Sequence, residues 1–191
     1  MTSFSRSPLT WLLLLACLTH LPAQAAKVAG VSLDDTLTVG KQTTTYHGAG
    51  VRKKLFIKLY VGSLYLASPT ADAASIVAAD EAMAIRLDVL SDLLTRKKLV
   101  KALDEGFAKS TGGNTQAIQP QIDQMLSFMQ DKISPGSRYT LAYEPGVGTH
   151  ISRNGESLTV IEGLPFKQAL FGIWLSDQPA QDSLKAAMLG N

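Results

Sequence analysis

Residues Gly48 to Leu66 read GAGVRKKLFIKLYVGSLYL, and this stretch decides the expected fold. From Leu55 to Leu66 the sequence is apolar on both faces, which is typical of a central strand that is buried on both sides. Arg52 stands just before that run. It follows a Gly-x-Gly that would let the backbone bend and a ligand approach closely. An arginine at the mouth of a buried strand is a candidate clamp for an anion or a carbonyl oxygen.

The N-terminus has the pattern of a secretory signal. Arg6 is the only charged residue before Lys27, and a short leucine-rich run follows it. Ala23-Gln24-Ala25 then places small residues at the −3 and −1 positions, which predicts cleavage before Ala26. The apolar run is too short for a comfortable membrane span, which needs about 20 apolar residues. We therefore expect residues 1–25 to be a signal peptide and the mature chain to be periplasmic or secreted.

Cys17 offers an alternative, because a lipoprotein signal would end there and leave the mature chain anchored at that residue. Cys17 is also the only cysteine in the chain. Cleavage before Ala26 removes it, so the mature protein would have no thiol nucleophile, disulfide or cysteine metal site. Such an exported protein depends on its core for stability. The remaining length, residues 26–191, suits a single domain.

The mature chain is nearly balanced in charge. Removing Arg6 from the 18 basic residues leaves 17, against 16 acidic residues. The net charge therefore gives no electrostatic argument for binding nucleic acid or an anionic membrane.

The order of patterns along the mature chain is strands, helices, strands, helices. This order predicts an α+β domain in which helices cover one face of an antiparallel sheet. Asn154-Gly155 lies between two alternating runs and predicts a type I′ hairpin turn. The expected elements are short strands between Val28 and Tyr46, strands at 55–66, 82–90, 138–143, 148–153 and 156–161, and helices at 73–79, from a cap at Ser91 or Asp92 to Gly112, at 115–131, 165–175 and 180–189.

Conventional catalytic patterns are scarce. His47 and His150 are the only histidines of the mature chain, and no serine lies in a G-x-S-x-G motif. Both histidines are interpreted as residues that satisfy strand ends. The sequence has no HExxH or similar ligand cluster, so no metal site is expected. Gly48-Ala49-Gly50 lacks the third glycine and the following helix of a dinucleotide fingerprint, so no such cofactor is expected.

Arg52 and Tyr60 are the candidate binding residues. The guanidinium of Arg52 stays charged and presents a rigid fork of donors that suits carboxylate or enolate oxygens. The alternative is a surface arginine in a basic turn with Lys53 and Lys54. By strand alternation Tyr60 and Tyr65 point to opposite faces, and either could add a hydroxyl or simply pack. The basic cluster at 96–98 and 101 is interpreted as a solvated helix face, or less favourably as the rim of a cleft for an acidic ligand.

Taken together, these motifs resemble the chalcone isomerase-like family, and its exported bacterial branch most closely. The resemblance covers essentially the whole mature chain. Its motifs are Gly48-Ala49-Gly50-Val51-Arg52, Phe56-Ile57-Lys58-x-Tyr60, Leu64-Tyr65-Leu66, Thr95-Arg96-Lys97 and Phe171-Gly172-Ile173-Trp174-Leu175-Ser176-Asp177.

The resemblance implies an open-faced β-sandwich with a ligand cleft between a large antiparallel sheet and a helical layer. True isomerases of the family add a phenolate to an unsaturated ketone within one molecule. The arginine at the position of Arg52 orients the substrate and stabilises the developing negative charge. Other relatives hold a fatty-acid carboxylate with arginine and tyrosine.

Several isomerase residues are not matched in this chain. Tyr60 stands where the isomerases have a threonine, and their late threonine or serine falls near Ile173. Their helical tyrosine and asparagine have no counterparts near Thr95 to Ala102. Because positioning supplies much of the rate of such a reaction, the chemistry should be weak or absent.

The leading hypothesis is therefore a periplasmic protein that binds a small amphipathic carboxylate such as a fatty acid, through Arg52, Tyr60 and Ile173. An intramolecular lyase acting on an unsaturated carbonyl compound, with Arg52 as its catalytic residue, is one alternative. A non-catalytic envelope accessory protein is the other. No cofactor, metal, nucleic acid or stable membrane insertion after signal cleavage is expected, and a protein partner stays open.

Overall fold

A seven-stranded antiparallel sheet forms the centre of the protein. The computed structural model describes residues 26–129 and 132–191, so the expected signal peptide and Cys17 lie outside the described residues. The strands pair in chain order, from β3 to β9, and a separate two-stranded hairpin precedes them. The strands are β1 Lys27–Val28, β2 Val31–Ser32, β3 Thr36–Val39, β4 Gln42–Lys54, β5 Ile57–Leu66, β6 Met83–Val89, β7 Arg138–Glu144, β8 Gly148–Arg153 and β9 Glu156–Ile161.

The segment 55–66, which was expected to be one buried strand, consists of a turn followed by strand β5. Lys54 pairs with Ile57, so Leu55 and Phe56 form the turn between β4 and β5. Leu55 is 85% exposed and Phe56 is fully exposed, so the prediction that the buried strand begins at Leu55 is wrong. The apolar pattern of 55–57 continues that of the strand, and periodicity alone does not mark the chain reversal.

The Gly-x-Gly before Arg52 lies within a strand, between register shifts at Tyr46/Gly48 and Arg52/Lys53. Gly48 and Gly50 lie within β4, where Gly48 pairs with Leu64 and Gly50 with Gly62. Gly48 and Gly50 therefore allow another part of the chain to pack closely against the sheet.

Five α-helices accompany the sheet in the described residues. Thr95 caps the second of them through its side chain, so the expected cap at Ser91 or Asp92 is wrong by one turn. The helix expected over 115–131 begins as a 3-10 turn, Gln116–Ile118, and ends at Ser127. The helices are α1 Ala73–Ala78, α2 Arg96–Ser110, α3 Gln119–Ser127, α4 Leu164–Leu175 and α5 Asp182–Met188.

The main core lies between one face of the sheet and the helices. α4 is buried on nearly every side, from Phe166 to Leu175, because helices and sheet surround it. Tyr60 belongs to this core, whereas Tyr65 lies in a smaller apolar cluster on the opposite face. The expected opposite orientation of the two tyrosines is confirmed, and so is the α+β architecture with helices on one face.

The antiparallel order gives the sheet two distinct ends. The β4–β5 turn and the Asn154-Gly155 turn lie at one end, which we call the tip end. The turns at Gly40-Lys41 and 145–147 lie at the other, which we call the base end. α4 runs from base to tip and α5 returns. The hydrogen bonds of Lys167 to α1 and of Gln181 to β4 fix these directions.

Candidate functional site

Arg52 and Tyr60 face each other across the β4–β5 pair. They are directly opposite in register, so both side chains lie on the helix-covered face. Gln181, the residue before α5, completes the group from the other side. Arg52 Nη1 donates to Gln181 Oε1 at 2.9 Å and to the Lys53 carbonyl at 2.7 Å.

The side-chain oxygen of Gln181 receives two hydrogen bonds at one point. Besides Arg52 Nη1, the backbone N–H of Lys53 donates to Gln181 Oε1 at 2.9 Å. A guanidinium and a backbone N–H that converge on one oxygen are the donors a carboxylate prefers. The amide oxygen of Gln181 thus accepts from two donors that would suit a carboxylate oxygen equally well.

Tyr60 is buried, with 7% of its surface exposed, and its hydroxyl is held in place. Trp174 Nε1, from the end of α4, donates to Tyr60 Oη at 3.0 Å. Burial raises the pKa of Tyr60, and the lowering effects of Trp174 and Arg52 do not cancel it. The hydroxyl of Tyr60 therefore stays protonated at neutral pH. Because its oxygen accepts the hydrogen bond from Trp174, its O–H remains able to donate a hydrogen bond to a ligand.

α5 lies directly on the strands beside this group, over a floor of glycines. A Cβ on Gly48 would come within 2.5 Å of the Ala187 carbonyl oxygen, and a Cβ on Gly50 within 2.8 Å of the Ala187 Cβ. Leu184 and Met188 are buried against the same floor, beside Gly62. These glycines were expected to let a ligand approach closely. In the structure they let α5 pack closely against the strands instead.

The cleft implied by the family resemblance is filled at this point by the protein's own side chains. Two cavities of about 130 and 500 Å³ lie elsewhere: the smaller is lined by Leu66 and Ile76, and the larger lies between α1, α2 and α4. Neither is lined by Arg52 or Tyr60. A ligand at the Arg52–Tyr60 pair would have to displace Gln181 and part of α5.

Ile173 is placed differently from the other two candidate residues. It is buried and packs against α2, where a Cβ on Gly106 would come within 2.7 Å of Ile173 Cγ2. Its neighbour Trp174 is the residue of α4 that reaches Tyr60. The structure thus brings Arg52 and Tyr60 together with Trp174 and Gln181, and leaves Ile173 between the helices.

A second polar cluster occupies the opposite face of the sheet. Arg86 is 1% exposed and pairs with Asp34 and with Asp88, whose Oδ2 accepts from Arg86 Nε at 3.1 Å. Arg138 Nε donates to the other oxygen of Asp88 at 2.8 Å. This network attaches the segment that follows β2 to strand β6. The alternating pattern of the strand did not predict that Arg86 would be buried.

Lys167 is a buried cation near the base end of α4. Its ammonium donates to the carbonyls of Ile76, Val77 and Ala79, at 2.7 to 2.9 Å, at the C-terminus of α1. Burial lowers the pKa of Lys167 to about 8. These contacts connect two helices and lie far from Arg52.

The interpretation of both histidines as residues that satisfy strand ends is wrong, because His47 lies within β4 and His150 within β8. His150 Nε2 lies 2.9 Å from Glu144 Oε2 on adjacent strands. In residues 26–129 and 132–191 no group of three or more potential ligand side chains is placed to hold a metal ion. Within the same residues no helix combines the length and the apolar character needed to cross a bilayer.

Comparison with known proteins identifies relatives of the whole domain. The family model described as chalcone isomerase-like matches residues 25–190. Among solved structures, the fatty-acid binding protein AtFAP1 of Arabidopsis thaliana is similar in fold, with a TM-score of 0.67 and 16% sequence identity. The match covers 84% of this chain and 92% of that one. A search of curated proteins found no match.

Proposed function

The chain belongs to the chalcone isomerase-like family, and we propose that it is an exported carrier of a small amphipathic carboxylate, such as a fatty acid. The carboxylate binds between Arg52 and Tyr60, and the acyl chain follows the surface that α5 covers in this structure. AtFAP1, which shares the fold, is a fatty-acid binding protein, and this agrees with the proposal.

The single observation that carries the proposal is the position of Gln181 Oε1. It accepts from Arg52 Nη1 and from the Lys53 N–H, both at 2.9 Å. A carboxylate in this place keeps both bonds, gains a full charge opposite Arg52, and accepts a further bond from the protonated Tyr60 hydroxyl. The bond from the Lys53 N–H changes from one between neutral groups, worth about 1 kcal/mol, to one with a charged acceptor, worth about 1.5–3 kcal/mol, so the exchange favours the carboxylate.

The acyl chain requires a surface without obstructing side chains, and the glycine floor supplies one. Gly48, Gly50 and Gly62 present backbone to the underside of α5. α5 is only seven residues long and is held mainly by Leu184 and Met188. An isolated helix of this length is unstable in water, so it stays folded only while it is docked. Its release opens a groove that leads from Arg52 along β4.

Trp174 provides a direct assay, because it is the only tryptophan left after signal cleavage and it bonds to Tyr60. Energy transfer from Trp174 to a fluorescent polyene fatty acid measures binding at the site. We expect Arg52→Ala to weaken affinity roughly 10- to 100-fold, since it removes one or two charge-assisted bonds. Lys41→Ala removes one exposed charge from the β3–β4 turn, at the base end of the sheet, and is the matched control.

Gln181→Ala distinguishes the proposal from a purely structural role of this contact. The substitution removes the internal occupant of the anion position, so affinity for the fatty acid should rise while the melting temperature falls slightly. If Arg52→Ala and Lys41→Ala bind equally well, or if Gln181→Ala weakens binding as Arg52→Ala does, the proposed site is wrong.

An intramolecular lyase is a second candidate for the same residues. The neutral Tyr60 hydroxyl beside Arg52 suits an enolate oxygen as well as a carboxylate. The experiment is turnover of a panel of hydroxylated enones by wild type and Arg52→Ala. Turnover that disappears in the variant would favour the lyase, and no turnover of any enone would exclude this activity for the panel.

Export is proposed from the N-terminal sequence alone. Mass spectrometry of the protein recovered from cell fractions tests it, because cleavage before Ala26 gives a defined mass. A soluble product that starts at Ala26 supports the periplasmic or secreted form. A lipid-modified product that begins at Cys17, and is lost in Cys17→Ser, would replace it with the anchored form.

A further inference from the structure

The turn between β4 and β5 carries apolar side chains that project from the protein. We call Lys53–Lys58 the hairpin tip. Leu55 is 85% exposed, Phe56 is fully exposed, and Ile57 is 38% exposed. Single exposed apolar residues are ordinary on a protein surface, but three in succession at the apex of a long hairpin form a contiguous apolar projection.

The backbone of the turn is not the one its sequence would favour. Leu55 adopts φ of 55°, in the left-handed region where glycine and asparagine are comfortable and a branched apolar residue is not. A turn selected only to connect the two strands would carry one of those residues at position 55. The geometry of the turn thus does not account for leucine at this position, where the side chain is also 85% exposed.

Cations surround the apolar apex. Lys53, Lys54 and Lys58 are exposed, and the sequence contains no acidic residue between Asp35 and Asp72. Lys97 and Lys98, in the first turn of α2, are exposed at the same end of the sheet. Exposed acidic residues at this end of the sheet are Asp92 before α2, Glu156 at the start of β9, and Asp177 and Asp182 between α4 and α5, and none of them lies on the hairpin.

We propose that the hairpin tip docks onto an anionic lipid surface. Leu55 and Phe56 enter the boundary between headgroups and acyl chains, while the three lysines of the tip contact lipid phosphates. An apolar wedge with a basic collar needs only a soft anionic surface, whereas a protein partner would have to offer a matching pocket for a fully exposed phenylalanine. The contact uses neither Arg52 nor Tyr60, so it goes beyond the proposed carrier function.

Vesicle flotation with the mature protein tests this directly. We expect the wild type to bind vesicles of phosphatidylcholine with phosphatidylglycerol, and to bind those of phosphatidylcholine alone much more weakly. Leu55→Ser with Phe56→Ser should lower the partition coefficient roughly 30-fold, since two large apolar side chains are lost. Each change of a tip lysine to glutamine should lower it roughly fivefold on anionic vesicles.

Two variants separate docking from folding. Leu55→Asn suits the left-handed backbone, so it should keep or raise the melting temperature while it weakens vesicle binding. Phe56→Trp should show a blue-shifted emission on anionic vesicles. Val147 is 45% exposed in the turn at the base end, so Val147→Ser and Val147→Trp are the matched controls and should change neither flotation nor emission.

Three outcomes would overturn the inference. The first is wild-type protein that floats with neither kind of vesicle, or equally with both. The second is a tip double variant that floats as well as Val147→Ser. The third is a concentration-dependent dimer in lipid-free solution that the tip double variant abolishes, since the apolar apex would then serve a second copy of the chain.

Discussion

Leu184→Ala should tighten ligand binding although it destabilises the protein. Leu184 is 1% exposed and is one of the buried residues that hold α5 on the glycine floor. Leucine-to-alanine changes in cores cost about 2–5 kcal/mol, and a short surface helix can relax, so we take about 2. If this loss falls on the docking of α5, the open fraction rises about 30-fold, and the apparent Kd falls by about the same factor.

The assay combines affinity, stability and local opening. Energy transfer from Trp174 gives the Kd for the polyene fatty acid, and urea unfolding gives the global stability. Hydrogen exchange should quicken at the amide of Lys185, which bonds to the Gln181 carbonyl at 3.0 Å, and at that of Leu189, which bonds to the Lys185 carbonyl at 3.0 Å. Both amides report on α5 alone.

Leu141→Ala is the matched control, because Leu141 is equally buried in the same core but lies on β7, away from α5. It should lower the stability by a similar amount and leave the Kd unchanged. An unchanged or weaker affinity in Leu184→Ala, with faster exchange in α5, would refute the idea that α5 competes with the ligand for the glycine floor.

Two further predictions concern buried charges. Lys167→Met should lower the free energy of unfolding by about 3 kcal/mol, since three α1 carbonyls lose their donor. Because burial lowers the pKa of Lys167 to about 8, below its ordinary value of 10.5, the unfolded chain binds more protons between these values. The contribution of Lys167 to wild-type stability should therefore rise from about pH 8 towards 10, and urea titrations should lack that rise in Lys167→Met. A stability difference between wild type and Lys167→Met that shrinks from pH 8 towards 10 would contradict this sign. Arg86→Met should cost about 3–5 kcal/mol in urea unfolding, because it leaves Asp88 with one of its two cations, and it should not alter fatty-acid affinity, because the network lies on the far face of the sheet. A changed Kd in that variant would contradict the assignment of the site to the helix-covered face.

The parts of the fold that depend on local sequence were predictable. The strands at 138–143, 148–153 and 156–161 agree with the structure to within one residue, because alternation and the Asn154-Gly155 turn specify them locally. Asn154 and Gly155 have φ of 53° and 86°, as a type I′ turn requires. The helix cap at Thr95 was missed because Ser91 and Asp92 have the same capping chemistry four and three residues earlier.

The apolar apex of the hairpin tip could not be predicted, since Leu55 to Ile57 carry the wrong local signal for a turn. Leu55, Phe56 and Ile57 extend the apolar pattern of the strand, and no glycine, asparagine or proline marks the reversal. The sequence offered a basic turn at Lys53 and Lys54 only as an alternative reading of Arg52, and the near-neutral net charge gave no argument for attraction to lipid. A whole-chain sum averages over the surface, whereas lipid attraction acts within about 10 Å.

The candidate site was predictable in part. Arg52 and Tyr60 follow from residue chemistry and from strand register, which places them on one face. Trp174 and Gln181 do not, because their hydrogen bonds join residues 114 and 129 positions apart. The glycines were recognised as positions of close approach, but the approaching element, α5, is set by tertiary packing.

The hairpin tip and Arg52 belong to the same β4–β5 hairpin. This arrangement predicts that the rate of fatty-acid transfer and the affinity for the fatty acid depend on different residues. Only Lys53 and Lys54 separate Arg52 from Leu55, a path of about 10 Å along a strand. A fatty acid that leaves a bilayer at the tip would therefore meet the clamp at once. The transfer rate from anionic vesicles should thus depend on the tip, and the affinity for free fatty acid on Arg52.

Stopped-flow transfer of the polyene fatty acid from phosphatidylglycerol-containing vesicles measures the first quantity, and titration without vesicles the second. Leu55→Ser with Phe56→Ser should slow transfer roughly 10-fold or more, as docking is lost, and leave the Kd for free ligand unchanged. Arg52→Ala should do the reverse, weakening the Kd while vesicle flotation is retained. If the tip double variant lowers affinity and transfer together, the tip is part of the binding site, and the two activities are not separate.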